Sequence, residues 1–339
     1  MKCYVQEKHL DNKGNVIKTE RITGDITDRA WAKKQLDYRT EQLLIAHKND
    51  LINGGISMTD TRTQMLLKKE SIIVEIVNIP QYTAREILIA LVIKYAGNWD
   101  AIMNAVSKRE MPEEKYIIEV NNLKCKTVTL LDNDYPQSLK SMVKPPFVLF
   151  YYGKLSQLQK SDRNIAILGT RDPSDYGMRK TRELAKDLSY RGYTIVSGLS
   201  RGVATIVHNI AIEYPNRKTV AVLPCGIDTC YPAANQNLCD ILKKHALVIS
   251  ELPGTVEPSP QHMINRNRII AGICGTILVT EAKTHSGVSA AVMFGLNVGD
   301  NILCVPDHAD KDSLCNKLIS EGACLVENAQ DVVDEISSL

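Results

Sequence analysis

Ser197-Gly198-Leu199-Ser200-Arg201-Gly202 and Gly169-Thr170-Arg171 set small residues beside a cation in two runs, about one strand-and-helix unit apart. Each follows an apolar stretch, Ile165-Ala166-Ile167-Leu168 in one case and Tyr193-Thr194-Ile195-Val196 in the other, and each precedes an amphipathic pattern. A strand feeding a helix through such a turn leaves backbone N–H groups and a guanidinium at the carboxyl end of a sheet. Anions, phosphates above all, bind there. Two such loops in adjacent units imply one shared phosphate-binding crevice. Gly198 and Gly202 permit close backbone approach, although the run is not the GxGxxG fingerprint.

Two further groups point to the same place. Asn265-Arg266-Asn267-Arg268 is entered through a Pro-rich loop at residues 253–260, and a helix is expected to start near His262 or Met263. Cations in first turns oppose the helix dipole, an arrangement more easily understood with an anion among them. Arg266 and Arg268 lie about 200° apart on a helix, so one is expected to face ligand and the other an internal or subunit contact. Ser286-Gly287 follows Glu281 at another strand end, where Ser286 either caps the next helix or donates to phosphate. Arg171 stands on its loop and is read as an anion contact. Arg179, Arg182 and Lys186 share the outer face of the following helix and are read as solvated.

These residues need a scaffold. Apolar strands recur at 165–168, 194–197, 219–223, 246–250, 276–280 and 301–305 with helical stretches between them. That alternation predicts an α/β fold, a doubly wound, mostly parallel sheet with helices on both faces. Short strands at 127–131 and 147–152 lead into it. Helical patterns at 84–95 and 99–106 precede them, and a hairpin is expected where segments 4–6 and 16–18 flank Asp11-Asn12-Lys13-Gly14-Asn15. Residues 28–70 are polar and helix-prone. The expected domains are 1–75 (hairpin plus helices), 76–113 (a small helical domain) and 114–339.

Composition bounds the partners. With 339 residues and a net charge of +2, any nucleic-acid surface must be a local patch. Aromatic residues make up only 5%, which argues against extensive base stacking. Nine cysteines form no CxxC pair and read as reduced thiols of a cytoplasmic protein, with no metal site. A polar N-terminus and no apolar run longer than 87–93 predict no signal peptide and no membrane span.

The chain resembles the DprA/Smf (DNA-processing protein A) family over residues 126–326. The resemblance rests on Tyr135-Pro136, Pro145-Pro146, Gly169-Thr170-Arg171, Ser197-Gly198-Leu199-Ser200-Arg201-Gly202 with His208, Gly226-Ile227-Asp228 and Tyr231-Pro232. It continues through Ser250-Glu251, Arg266-Asn267-Arg268-Ile269-Ile270-Ala271-Gly272, Glu281-Ala282, Ser286-Gly287, Val305-Pro306 and Cys315-Asn316-Lys317-Leu318-Ile319. It implies an extended Rossmann-like domain that binds single-stranded DNA, forms a homodimer and loads a RecA-type recombinase. Residues 80–107 resemble that family's SAM or helix-hairpin-helix domain. The dimer is expected through residues 275–326, where Ile302, Leu303, Leu314, Leu318 and Ile319 form a large apolar set. This chain departs from the family pattern at Ala204 (usually Asp), Asp307 (usually Gly) and Leu314 (usually Gly), and no C-terminal winged-helix pattern is expected.

The resemblance implies a binder with no cofactor and no catalytic residue. An enzyme of the same superfold, a nucleotide hydrolase of the lonely-guy type, would use Glu251 or Glu281. It would need a PGGxGTxxE loop where this chain has Thr280-Glu281-Ala282-Lys283-Thr284-His285-Ser286-Gly287. His208 has Ala204, not a carboxylate, one turn before it, and is read as a packed histidine. A nucleotide-sensing module of a mobile element or phage-defence system is the third reading.

Overall fold

The structure, a computed structural model, describes residues 2–10, 15–21, 23, 31, 33–35, 37–38, 71–79, 82–158 and 163–338. They fall in two compact units, Met1–Thr83 and Ala84–Leu339. In the first, β1 (Lys2–Leu10) pairs antiparallel with β2 (Val16–Arg21), with a register irregularity at His9/Leu10. The expected turn at 11–14 and most of 28–70 lie outside the described residues. On its other side β1 pairs along its whole length with β3 (Ser71–Ile79), from Lys2↔Ile79 to Leu10↔Ser71. The hairpin-plus-helices expectation missed this strand, and its boundary at 75/76 cuts through it. The signal was there, because Ile72-Ile73-Val74-Glu75-Ile76-Val77 is β-branched almost throughout.

The second unit is built on nine strands: β4 (Lys126–Thr129), β5 (Val148–Gly153), β6 (Asn164–Gly169), β7 (Thr194–Ser197), β8 (Thr219–Val222), β9 (Leu247–Ser250), β10 (Thr276–Glu281), β11 (Asn301–Cys304) and β12 (Cys324–Leu325). Their order is β12-β11-β10-β6-β7-β8-β9-β5-β4. From β12 to β9 all neighbours are parallel, and β5 and β4 close that side antiparallel. From β6 the chain winds outward through β7, β8 and β9, then returns to lay β10 on the other flank of β6. Strand order therefore reverses between β6 and β10, and the helices leaving their carboxyl ends diverge and open a crevice.

Alternation along the strands shows why both faces are covered. Ile165 and Ile167 of β6 enter one core with Leu184 and Leu188 of helix Asp175–Tyr190 and Val207 of helix Val203–Glu213. Ala166 and Leu168 enter the opposite core, with Ile269 and Ile270 of helix Pro260–Ile273 and Val292 of helix Gly287–Val298. Strands buried on both sides read as unbroken apolar runs, which is how the sequence writes them. Among the described residues no helix is long and apolar enough to cross a membrane.

Helices Ala84–Lys94, Trp99–Ser107 and Glu114–Asn121 belong to this same unit. Leu88, Ile89 and Ile102 pack in one cluster with Phe147, Phe150, Val248 and Leu242. Trp99 stacks on Phe147 at 5.2 Å and donates Nε1–H to Pro145 O at 2.8 Å. Arg85 donates Nε–H to both Asp132 carboxylate oxygens, at 3.1 and 3.0 Å, and Nη2–H to Thr127 O at 2.7 Å. No break in packing appears at 113/114.

Phe150 is fully buried within that cluster. Phe150→Ala is expected to cost about 3–5 kcal/mol. In a Trp31→Phe background, Trp99 fluorescence and far-UV circular dichroism should lose their signals in one transition. An earlier, separate loss of the Trp99 signal would show that the helices fold independently.

Candidate functional site

Three strand ends are laced together by backbone. Thr170 N donates to Glu281 O at 2.7 Å, and Val203 N donates to Thr170 O at 3.2 Å, so the loops after β6, β7 and β10 share one small frame. Two glycines allow it. Gly202 has φ +75°, and a Cβ there would lie 2.4 Å from Thr170 O and 2.6 Å from Arg171 C. A Cβ on Gly169 would meet Val203 Cγ2 at 2.5 Å. The Glu281 carboxylate accepts from Ser174 N at 3.0 Å and Ser174 Oγ at 3.0 Å, and Gly177 clears room for it. Glu281 thus ties β10 to the start of helix Asp175–Tyr190, where a negative charge suits the helix dipole.

Within this frame lies a crevice of about 420 Å³. Arg266 crosses its wall, half-buried, donating Nη1–H to Val222 O at 3.1 Å and Nε–H to Asn267 Oδ1 at 3.1 Å. Its guanidinium lies against Gly198, where a Cβ would sit 1.8 Å from Nη1, so position 198 must be glycine for the arginine to enter. Burial, then the nearby charge of Arg171, pushes the Arg266 pKa down to about 10. Arg171 is exposed, and its Nη2 lies 3.6 Å from Met263 Sδ. Among the described residues neither arginine has a carboxylate within ion-pair distance. Asn267 Nδ2 donates to Gly287 O at 3.1 Å and so fixes the start of helix Gly287–Val298. Ser286 precedes that helix without capping it, and its Oγ, in the crevice wall, is buried without a partner.

His208 braces this wall from behind. It is fully buried, with Nε2 2.6 Å from Gly198 O and Nδ1 2.7 Å from Thr219 Oγ1. A carbonyl only accepts, so Nε2 carries the proton, and the single proton of the Thr219 hydroxyl is shared between Nδ1 and Ile195 O, 2.9 Å away. Burial, with Arg266 adding to it, pushes the imidazole down to about 4, against the pull of Gly198 O.

The structure brings most of the expected residues together. Gly169, Thr170, Arg171, Ser197, Gly198, Ser200, Arg266, Asn267, Ser286 and Gly287 line the crevice. Ser197 contributes backbone, since its hydroxyl donates to Ile167 O at 2.8 Å. Gly202 underlies Thr170 and Arg171, and Arg201 is an exposed turn residue outside the lining. Arg268 and Asn265 do not join the crevice. Arg268 is buried on the other side of its helix and pairs with Glu251, while Asn265 Oδ1 accepts from Gln261 at 2.9 Å. The helix begins at Pro260, capped by Ser259, earlier than expected, so Arg266 and Arg268 sit in its middle rather than its first turns. The lining that sequence reasoning missed is apolar, with Met263, Ile264 and Val288 as its larger side chains beside Leu168 and the alanines at 204, 290 and 291. The Met263/Arg266 spacing of i, i+3 carried that signal.

The model of the DNA recombination-mediator protein A family matches residues 126–337, well over half of the chain. The chain belongs to this family. The DNA processing protein DprA of Bacillus subtilis is 34% identical over 212 residues, 62% of this chain and 71% of that protein. DprA of Streptococcus pneumoniae is 36% identical over 210 residues, 61% of this chain and 73% of that protein. The crystal structure of the pneumococcal protein matches with a TM-score of 0.62 at 29% identity, over 74% of this chain and 93% of that chain. DNA processing protein A of Helicobacter pylori, whose structure concerns its single-stranded DNA binding mode, gives 0.58 at 25% identity, over 64% and 97%. The family match covers every crevice residue and leaves residues 1–125 outside it.

The depressed pKa of His208 makes a signed expectation. Above its unfolded value of about 6.5 the ring is neutral in both states, and the stability it contributes is complete. As pH falls toward 4 the unfolded chain takes a proton that the folded one refuses, so stability drops by up to about 1.4 kcal/mol per pH unit. Asp300, pushed up to about 8 by burial, has the opposite slope over this range, so the readout is a difference between proteins. His208→Gln should be less stable than wild type at pH 7, with the gap narrowing between pH 6.5 and 4 in urea titrations. A gap constant over that range would mean that His208 is charged in the fold.

Proposed function

We propose that the crevice binds the phosphate backbone of single-stranded DNA and leaves it chemically intact. The observation that carries this is the convergence of Arg171 and Arg266 without a counter-charge among the described residues, beside the unpartnered Ser286 hydroxyl. A guanidinium forks across two phosphate oxygens, and the Gly198 turn lets a backbone close in. Groups that an enzyme would need are committed elsewhere: the Glu281 carboxylate to Ser174, Glu251 to Arg268, and His208, held neutral, to Gly198 and Thr219. The single-stranded DNA bound by the Helicobacter relative supports the same ligand class. By family, the reading extends to loading a RecA-type recombinase. The described cysteines, all free, fit a reducing cytoplasm.

A charge-assisted contact is worth about 1.5–3 kcal/mol. Arg171→Ala should therefore weaken oligo(dT) binding roughly ten- to hundred-fold, alike for other sequences and with a shallower salt dependence. Arg182→Ala, exposed on the outer face of helix Asp175–Tyr190, should change little. Oligonucleotide and NTPs incubated with Mg²⁺ should be recovered intact. Wild-type affinity in Arg171→Ala, or cleavage lost on substitution of Glu281, would sink the reading. A stronger thermal shift with mononucleotide than with oligonucleotide would favour the nucleotide-sensor or hydrolase alternative.

We also infer a homodimer, on corrected grounds. Ile302, Leu303, Leu314 and Leu318 are buried in the protein's own core and leave nothing for a partner. Within the same stretch, helix Gly287–Val298 instead exposes Met293 (57%), Leu296 (52%) and Val298 (49%). Of these, Met293 and Leu296, at i, i+3, share one face and fit a second copy of that face, while Val298 points about 200° away from Leu296. Light scattering should give a dimer at tens of micromolar, and Met293→Glu/Leu296→Glu should give a folded monomer. A wild-type monomer refutes it.

A further inference from the structure

The amino ends of the parallel strands carry a second basic surface. Arg163 immediately precedes β6, Lys218 precedes β8, and Arg191 lies just before β7; parallel pairing brings these ends to one edge of the sheet. With Lys154, Ser156 and Asn216 they line a hollow of about 730 Å³, to which, among the described residues, no acidic and no large apolar side chain contributes. Lys218 donates to Gly192 O at 3.0 Å, and the Arg163 guanidinium lies 5.1 Å from the Tyr193 ring centroid. Among the described residues none of the four cations is paired with a carboxylate. For a chain of net charge +2, this is a local concentration of positive field.

We propose that this hollow is a second contact for nucleic-acid phosphates, holding another part of the strand that occupies the crevice. A protein partner would need an aromatic or aliphatic anchor at the centre of its contact, and the described lining offers none. It offers cations ringed by hydroxyl and amide groups, which suits a phosphate backbone bound without regard to sequence. The six residues of β6 set the two sites about 20 Å apart on opposite edges of the sheet. A strand long enough to cross the helical layer reaches both. The proposal rests on the crevice being the primary strand site.

The test uses the full chain carrying Lys154→Glu/Arg191→Glu, both exposed positions, and oligo(dT) of about 6 and about 30 nucleotides. The short probe should bind within about twofold of wild type. The long one should weaken roughly tenfold, with a salt slope shallower by about one to two ions. The milder Lys154→Gln/Arg191→Gln should move the long probe in the same direction. An unchanged long probe overturns the proposal, as does equal weakening of both lengths, which marks a general loss of charge. Loss of poly-glutamate binding with DNA binding intact also overturns it and assigns the hollow to an acidic polypeptide. Failure of the crevice reading would show separately, as short-probe binding that survives Arg171→Ala.

Discussion

Thr170 is pinned by its own backbone between Glu281 O and the amide of Val203, and the crevice depends on that pinning. One residue links the two strands at which the order reverses to the loop of the next unit. If the frame loosened, Arg171 would leave the wall, Gly198 would drift from Arg266, and Ser286 would lose its register with Asn267. The contact distances leave no room for side chains. Gly202 presses on Thr170 and Arg171, Gly169 on Val203, and Gly177 on the Glu281 carboxylate. These glycines matter because three loops must come within backbone contact, and only Gly202 also needs its positive φ.

The frame keeps a charge where proteins rarely leave one. A guanidinium withdrawn from water loses hydration, and that loss is only partly offset by Val222 O and Asn267 Oδ1. Arg268, two residues on, shows the ordinary solution, a buried carboxylate partner in Glu251. One helix thus carries an internally neutralised arginine on one side and an uncompensated one on the other. The difference between them leaves one side of the helix closed on itself and the other with a charge open toward the crevice.

Most of this was legible from residue types. Unbroken apolar runs wrote the doubly buried strands, and small residues with cations at strand ends wrote the loops. The third strand of the first unit went unread although its β-branched run was plain, because no turn chemistry announced it. Helix phase was legible for Arg266 and Arg268, since residues about 200° apart must diverge. Which of them met a carboxylate was not, because Glu251 comes from another strand end and pairing across β9 is a tertiary fact. Burial of the apolar set expected at a dimer seam was hidden for the same reason. Ile302, Leu303, Leu314 and Leu318 look surplus in sequence, but they fill the core under β11 and its flanking helices.

The groups nearest the crevice also decide how its charge responds to solution conditions. Arg266, though its pKa is pushed down to about 10, stays protonated around neutrality, and no counter-ion among the described residues can be titrated away from it. His208 keeps its ring neutral until well into the acid range. Around neutrality the field in the crevice is therefore set by position rather than by proton uptake. Acid reaches it through packing: a protonated His208 would place a second N–H against the Thr219 hydroxyl. That hydroxyl would then have to accept, leaving its proton for Ile195 O, from which it already stands 2.9 Å away. The Gly198 carbonyl would keep its bond, but the ring behind it would carry an unpaired charge in the core, near Arg266. The crevice wall and the fold then loosen together, because the same imidazole that holds the Gly198 carbonyl also holds Thr219 at the start of β8.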